Sequence, residues 1–167
     1  TAIYDTYANA ASTTQSNNSV SLNDQLAPSI DAIATSDFSW EAVLNATEDN
    51  NDGTVSISTT GVEENQTVTV TLNNADYTAS VAADGSATVT ITGAGLRGLT
   101  NGESYTMTAN VSDAAGNAAT QVTSSAFTVD TTVPSIDAIA TSDFTWGAAL
   151  NATEDNNDGT VSISTTG

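Results

Sequence analysis

Glu48, Asn50 and Asp52 alternate through the run Glu48-Asp49-Asn50-Asn51-Asp52-Gly53, and each carries a side-chain oxygen. Calcium takes about six to eight oxygen ligands from carboxylates, carbonyls and water. Alternating oxygen donors that close on a glycine copy the front half of an EF-hand loop. The twelfth position would be Thr59 where an EF-hand needs a bidentate Glu, so an EF-hand proper is excluded. The bland alternative is a solvated acidic turn whose Asn, Asp and Gly serve backbone geometry. Glu154, Asp155 and Asp158 repeat the same pattern further along the chain. Other oxygen-bearing groups are Glu63-Glu64-Asn65, Asp113 with Asn117, and Asp31. Asp24 and Asp130 each stand four residues before a proline, Pro28 and Pro134. Asp37, Asp76 and Asp84 read as surface or turn residues.

The remaining composition bounds what these groups can do. The chain holds 20 acidic residues against one basic residue, Arg97, with no His, no Cys and a net charge of −19. Almost no carboxylate has a protein cation to pair with, so these groups repel one another or recruit cations from solution. Nucleic acid and anionic membrane are poor partners, because both demand Lys and Arg. Without His or Cys there is no Ser-His-Asp triad, no thiolate nucleophile and no zinc site of the usual type. Carboxylate pairs of the glycosidase kind remain chemically possible. No apolar run approaches the length of a membrane span. The hydrophobic fraction of 38% is ordered along the chain, which argues against a disordered acidic polymer.

The chain repeats itself. Residues 28–61 and 134–167 match at 31 of 34 positions and differ only at 39/145, 41/147 and 43/149, with a period of 106 residues from Pro28 to Pro134. That period is close to one small domain and too long for a solenoid unit. A fainter echo links Tyr4-Asp5-Thr6-Tyr7-Ala8-Asn9-Ala10-Ala11 with Ser112-Asp113-Ala114-Ala115-Gly116-Asn117-Ala118-Ala119. The expected organisation is the tail of a diverged repeat over 1–27, a whole repeat over 28–133, and the head of the next over 134–167.

Within 28–133 apolar residues recur every second position, the mark of half-buried strands. Strands are predicted at Ile30 to Ala34, Thr54 to Ser58, Thr67 to Leu72, Tyr77 to Val81, Ala87 to Ile91, Tyr105 to Val111 and Val122 to Val129. Turn signals fall between them at Asp52-Gly53, Thr60-Gly61, Asn73-Asn74, Asp84-Gly85, Asn101-Gly102 and Gly116-Asn117. Seven such strands predict an all-β, immunoglobulin-like antiparallel sandwich. Val55, Ile57, Val68, Val70, Leu72, Val89, Tyr105, Met107, Val111, Phe127 and Val129 should point inward. Tyr105 follows a turn at the start of the sixth strand, where it is either a tyrosine corner or an ordinary core aromatic. That topology places Glu48–Gly53, Asn101, Glu103 and Asp130 at one pole. Glu63, Glu64, Asp113, Asn117, Asp24 and Asp31 fall at the other.

The run from DGTVSISTTGVEENQTVTV to SATVTI, followed by YTMTANVSDAAGNAAT and FTVDTTVP, resembles the bacterial immunoglobulin-like repeats of giant RTX adhesins. The resemblance covers 28–133, and both flanks match pieces of the same pattern. It implies long strings of sandwiches, stabilised by calcium, that hold an adhesive tip away from a Gram-negative cell. Such a segment is extracellular, has neighbouring repeats as its partners, and is a monomer without enzymatic activity or a small-molecule substrate. Two other functions stay open. Trp40 and Trp146 could form a sugar platform, or Thr67, Thr69 and Thr71 an ice-binding row, although the tryptophans suit packing against an adjoining domain or a core edge at least as well, and outward Thr is the usual filler of a half-exposed strand. The repeat could also be an accessory domain of a secreted polysaccharide-degrading enzyme.

Overall fold

The first strand, β1 (Ser29–Ile30), pairs antiparallel with β3 (Gly53–Thr60), which pairs antiparallel with β6 (Ser86–Ile91). This computed structural model describes residues 24–167. The echo predicted at Tyr4 to Ala11, and most of the 1–27 segment, lie outside the described residues. Facing the first sheet is a second one, in which β4 (Thr67–Leu72) lies between β5 (Ala75–Ser80) and β8 (Met107–Asn110), with β9 (Val122–Thr123) beyond. A further three-stranded sheet has β10 (Phe127–Asp130) between β2 (Val43–Asn45) and β7 (Ser104–Tyr105).

Two of the predicted strands are each broken once. The sixth is interrupted at Thr106, between β7 and β8, and the seventh between β9 and β10. The cause of the second break is a buried serine. Ser124 donates its N–H to the Met107 carbonyl and accepts the Met107 N–H at its hydroxyl, so side chain replaces backbone in the ladder. The sandwich is otherwise antiparallel, but β2 runs parallel to β10. The first predicted strand is thus only its opening piece. After β1 the chain turns through a short 3-10 segment at Thr35–Asp37, closed by the Asp37 carboxylate accepting the Ala34 N–H at 2.7 Å. It then leaves the first sheet and joins β10 as β2.

The core lies between the sheets. All eleven residues expected inward are buried or packed against the core, Tyr105 among the partly buried ones. The crossing segment adds Ile33, Phe38, Trp40 and Leu44. Phe38 stacks on Trp40 with ring centroids 5.4 Å apart, and Phe127 meets both edge-on. Such aromatic clusters bury large apolar area and add a specific geometry. The β4–β5 hairpin turns on Asn73 and Asn74, both at positive φ (47° and 63°), as a two-residue turn matched to strand twist requires.

The second copy of the repeated block keeps the local structure. β11 (Ser135–Ile136) pairs with β12 (Thr165–Thr166) as β1 pairs with β3, and Phe144 stacks on Trp146. Leu150 is 56% exposed where Leu44 is 0% exposed, because the described residues supply no second sheet over it.

Candidate metal-binding poles

Hydrogen bonds collect most of the candidate acidic residues into two groups, which we term the two poles. At the first pole, Asp113 closes a tight loop on Asn117. Its carboxylate accepts the Asn117 N–H and side-chain amide, each at 2.8 Å, while its own N–H donates to the Asn117 carbonyl. Gly116, at φ +91°, supplies the left-handed turn the loop needs. Asp113 is 3% exposed. The Asn117 amide holds its carboxyl below the usual carboxylate range, against the opposing effect of burial, with further help from backbone N–H groups. The Glu63 carboxylate accepts the Ala114 N–H at 2.8 Å, and the Asn117 amide also reaches the Asp24 carbonyl at 3.2 Å. Asp24, Glu63, Asp113 and Asn117 therefore form one hydrogen-bonded group drawn from three segments far apart in sequence. Asp31 lies exposed along the edge of β3, its N–H donating to the Ser58 carbonyl.

The second pole holds the acidic loop. Asn45 and Glu48 form a capping box: Asn45 Oδ1 accepts the Glu48 N–H at 3.1 Å and Glu48 Oε2 accepts the Asn45 N–H at 3.1 Å. Asn50 donates its side-chain amide to the Ala46 carbonyl and to the Asp49 carboxylate, both at 2.8 Å. Asp52 accepts the N–H of Gly93 at 2.8 Å, which ties the loop to the start of the short helix α1 (Gly93–Arg97). Asp130, the last residue of β10, pairs with Asn45 at the head of the loop. In the second copy the box recurs between Asn151 and Glu154, and Asn156 bonds the Ala152 carbonyl. Asp155 and Asp158 stand beside it, lining a cavity with Trp146 and Leu150.

Among the described residues no three carboxylates close on one point. The donor chemistry at both poles is nonetheless all oxygen, and a carboxylate oxygen that accepts one N–H keeps a lone pair for a second partner. At the first pole the Asp113 and Glu63 carboxylates and the Asp24 carbonyl all hydrogen-bond to the 113–117 loop. The sequence did not single out Asn45, whose Asn-x-x-Glu spacing is the signal of the capping box. It also missed Asn101 as a holder of the linker.

Trp40 is a core residue, 3% exposed, with its ring face against Phe38 and packed so close to Gly53 that an added Cβ there would stand 2.5 Å from its Cζ3. That position removes it from any sugar platform. Thr67, Thr69 and Thr71 do face outward, and Thr71 donates its hydroxyl to Asp76 at 2.6 Å. Tyr105 forms the tyrosine corner, its hydroxyl accepting the Thr100 N–H at 2.9 Å.

Comparison with protein-family models and with curated proteins gives no match. Among solved structures, the chain is 32% identical to a Ca2+-stabilised adhesin that helps an Antarctic bacterium reach out and bind ice, over 84% of this chain (TM-score 0.47). It is 33% identical to a structure from a 1.5-MDa bacterial ice-binding adhesin concerned with host cell surface retention, over 63% of this chain (TM-score 0.42). It spans only 32% of the length of each. A bacterial immunoglobulin-like domain from the M. primoryensis ice-binding adhesin is 34% identical over 62% of this chain (TM-score 0.42). Because that identity extends across 95% of the M. primoryensis domain, this chain belongs to the bacterial immunoglobulin-like domains.

Proposed function

We propose that the chain is an extender segment of a large bacterial adhesin, in which calcium bound at the poles and linkers stiffens a string of sandwiches. Residues 28–133 are one whole repeat, 1–27 the tail of the repeat before and 134–167 the head of the repeat after. The string stands on the outside of a Gram-negative cell and carries a distal binding region away from it. Its partners are the neighbouring repeats of the same chain.

The observation that carries this reading is the near-identical block at a 106-residue period in a chain of net charge −19. A surface that recognises a target has no need of a neighbour matching it at 31 of 34 positions, whereas a spacer gains length from every copy. The ligands are Asp113, Asn117, Glu63 and Asp24 at the first pole, with Asp31 at its margin. Glu48, Asp49, Asn50, Asp52 and Asp130 supply the second, and Glu154, Asp155 and Asp158 its copy. An ion that binds only the folded state at ten times its Kd stabilises by about 1.4 kcal/mol, so a few sites rival the stability of a small domain.

Small-angle scattering on tandem repeats tests the mechanical part. The maximum dimension rises with calcium and falls with chelator if the joints stiffen. An identical profile in both conditions, with the domains folded, leaves no calcium-stiffened joint.

A further inference from the structure

We propose that Asn101 is a linker clamp: its side-chain amide makes Thr131 and Thr132 mechanically part of the sandwich they leave, and so confines the hinge to Val133 and Pro134. The clamp needs no metal, so it goes beyond the calcium reading. Only its importance for a string of repeats rests on that reading.

Asn101 Oδ1 accepts the Thr131 N–H at 2.8 Å, and its Nδ2 donates to the Thr132 hydroxyl at 3.0 Å. A primary amide is suited to this because it offers an acceptor and a donor side by side. Both contacts reach across about thirty residues of sequence and fall on the two residues that follow β10. The Thr132 N–H is held separately by Asp130 Oδ1 at 3.1 Å. Both threonine N–H groups are therefore satisfied within the sandwich they leave.

The clamp is held rigidly from behind. Asn101 sits in the turn between α1 and β7, where Gly102 at φ +83° donates its N–H to the Val129 carbonyl at 2.7 Å. The Val129 N–H donates in return to the Glu103 carbonyl at 3.0 Å. The start of the turn is fixed by the tyrosine corner, Thr100 N–H to Tyr105 hydroxyl, and the Tyr105 ring lies 6.2 Å from that of Phe127 in the core. A side chain placed by such a turn loses little further entropy when it binds. Beyond the clamp, Pro134 has a fixed φ, and Val133, preceding a proline, is restricted to extended conformations. Few backbone rotations remain free.

Amide exchange and 15N relaxation on this chain in EDTA test the clamp. The Thr131 and Thr132 amides should show backbone order equal to that of β10, falling first at Val133, and Thr131 should exchange at least about tenfold slower than an unstructured amide. Asn101→Ala should move the loss of order back to Thr131 and raise its exchange about tenfold, with the amides of Val55, Val70 and Val89 unchanged. Thr132→Val, which leaves the turn intact, should loosen Thr132 alone. Thr131 exchanging at the unstructured rate in the unsubstituted chain overturns the proposal, as does unaltered protection in Asn101→Ala. Failure of the calcium reading would show elsewhere, as melting indifferent to calcium with Thr131 still protected.

Discussion

The carboxylate of Asp113 accepts two hydrogen bonds from Asn117, one from its backbone and one from its side chain, each 2.8 Å long. The side-chain bond is the largest cause of the lowered Asp113 pKa. A carboxyl whose folded pKa is depressed contributes stability above its unfolded value, and loses that contribution as pH falls through the folded value. For Asp113 this window lies below about pH 4, the unfolded carboxylate value. Asn117→Ala should raise the pH at which Asp113 protonates, read from its carboxyl 13C shift. An unchanged titration would mean that the side-chain amide does not hold the charge.

Gly53 leaves no room for a larger residue. An added Cβ would stand 2.5 Å from Cζ3 and 2.7 Å from Cε3 of Trp40, and 3.1 Å from Leu96. Gly53→Ala should destabilise the folded chain by about 1–3 kcal/mol, the usual cost of overpacking. Denaturant unfolding followed by tryptophan fluorescence measures it. A neutral result would place Trp40 in a looser setting than its stacking on Phe38 describes.

Leu44 is 0% exposed, in the core between the sheets. Leu44→Ala should cost about 2–5 kcal/mol, in line with other buried leucine truncations. A loss below about 1 kcal/mol in thermal unfolding would contradict its burial.

How legible this molecule is depends on the range of each interaction. Val68, Val70 and Leu72 alternate with threonines, so one local pattern reveals both strand and inward face. Asn73-Asn74 and the position of Tyr105 after its turn are equally local. Phe38 and Leu44 were not expected in the core, and Trp40 only as one of two readings, because the chain changes sheets there and shows no period of two. The parallel pairing of β2 with β10 joins segments about 85 residues apart and has no local signature. Strand order led to the expectation that Glu63, Asp113, Asn117 and Asp24 share a pole, but not to the hydrogen bonds that join them. It could not show that Glu48 closes a capping box or that Asn101 turns to the linker.

Charge repulsion makes a further prediction about salt. With one cation for 20 carboxylates, the folded state in chelator is strained by its own charge. Raising NaCl from 0.01 to 1 M shortens the Debye length from about 30 to about 3 Å. The melting temperature in EDTA should therefore climb with NaCl. A flat or falling curve would mean that the carboxylates are spaced too widely to oppose folding.

Calorimetric melting of this chain, in EDTA and in calcium at matched ionic strength, tests the central claim most directly. Each site held at ten times its Kd adds about 1.4 kcal/mol, worth at least about 5 °C for a domain of this size. The account predicts a rise of that order per site in calcium, reversed by chelator and diminished by Asp113→Ala. Identical melting in calcium and EDTA would contradict it.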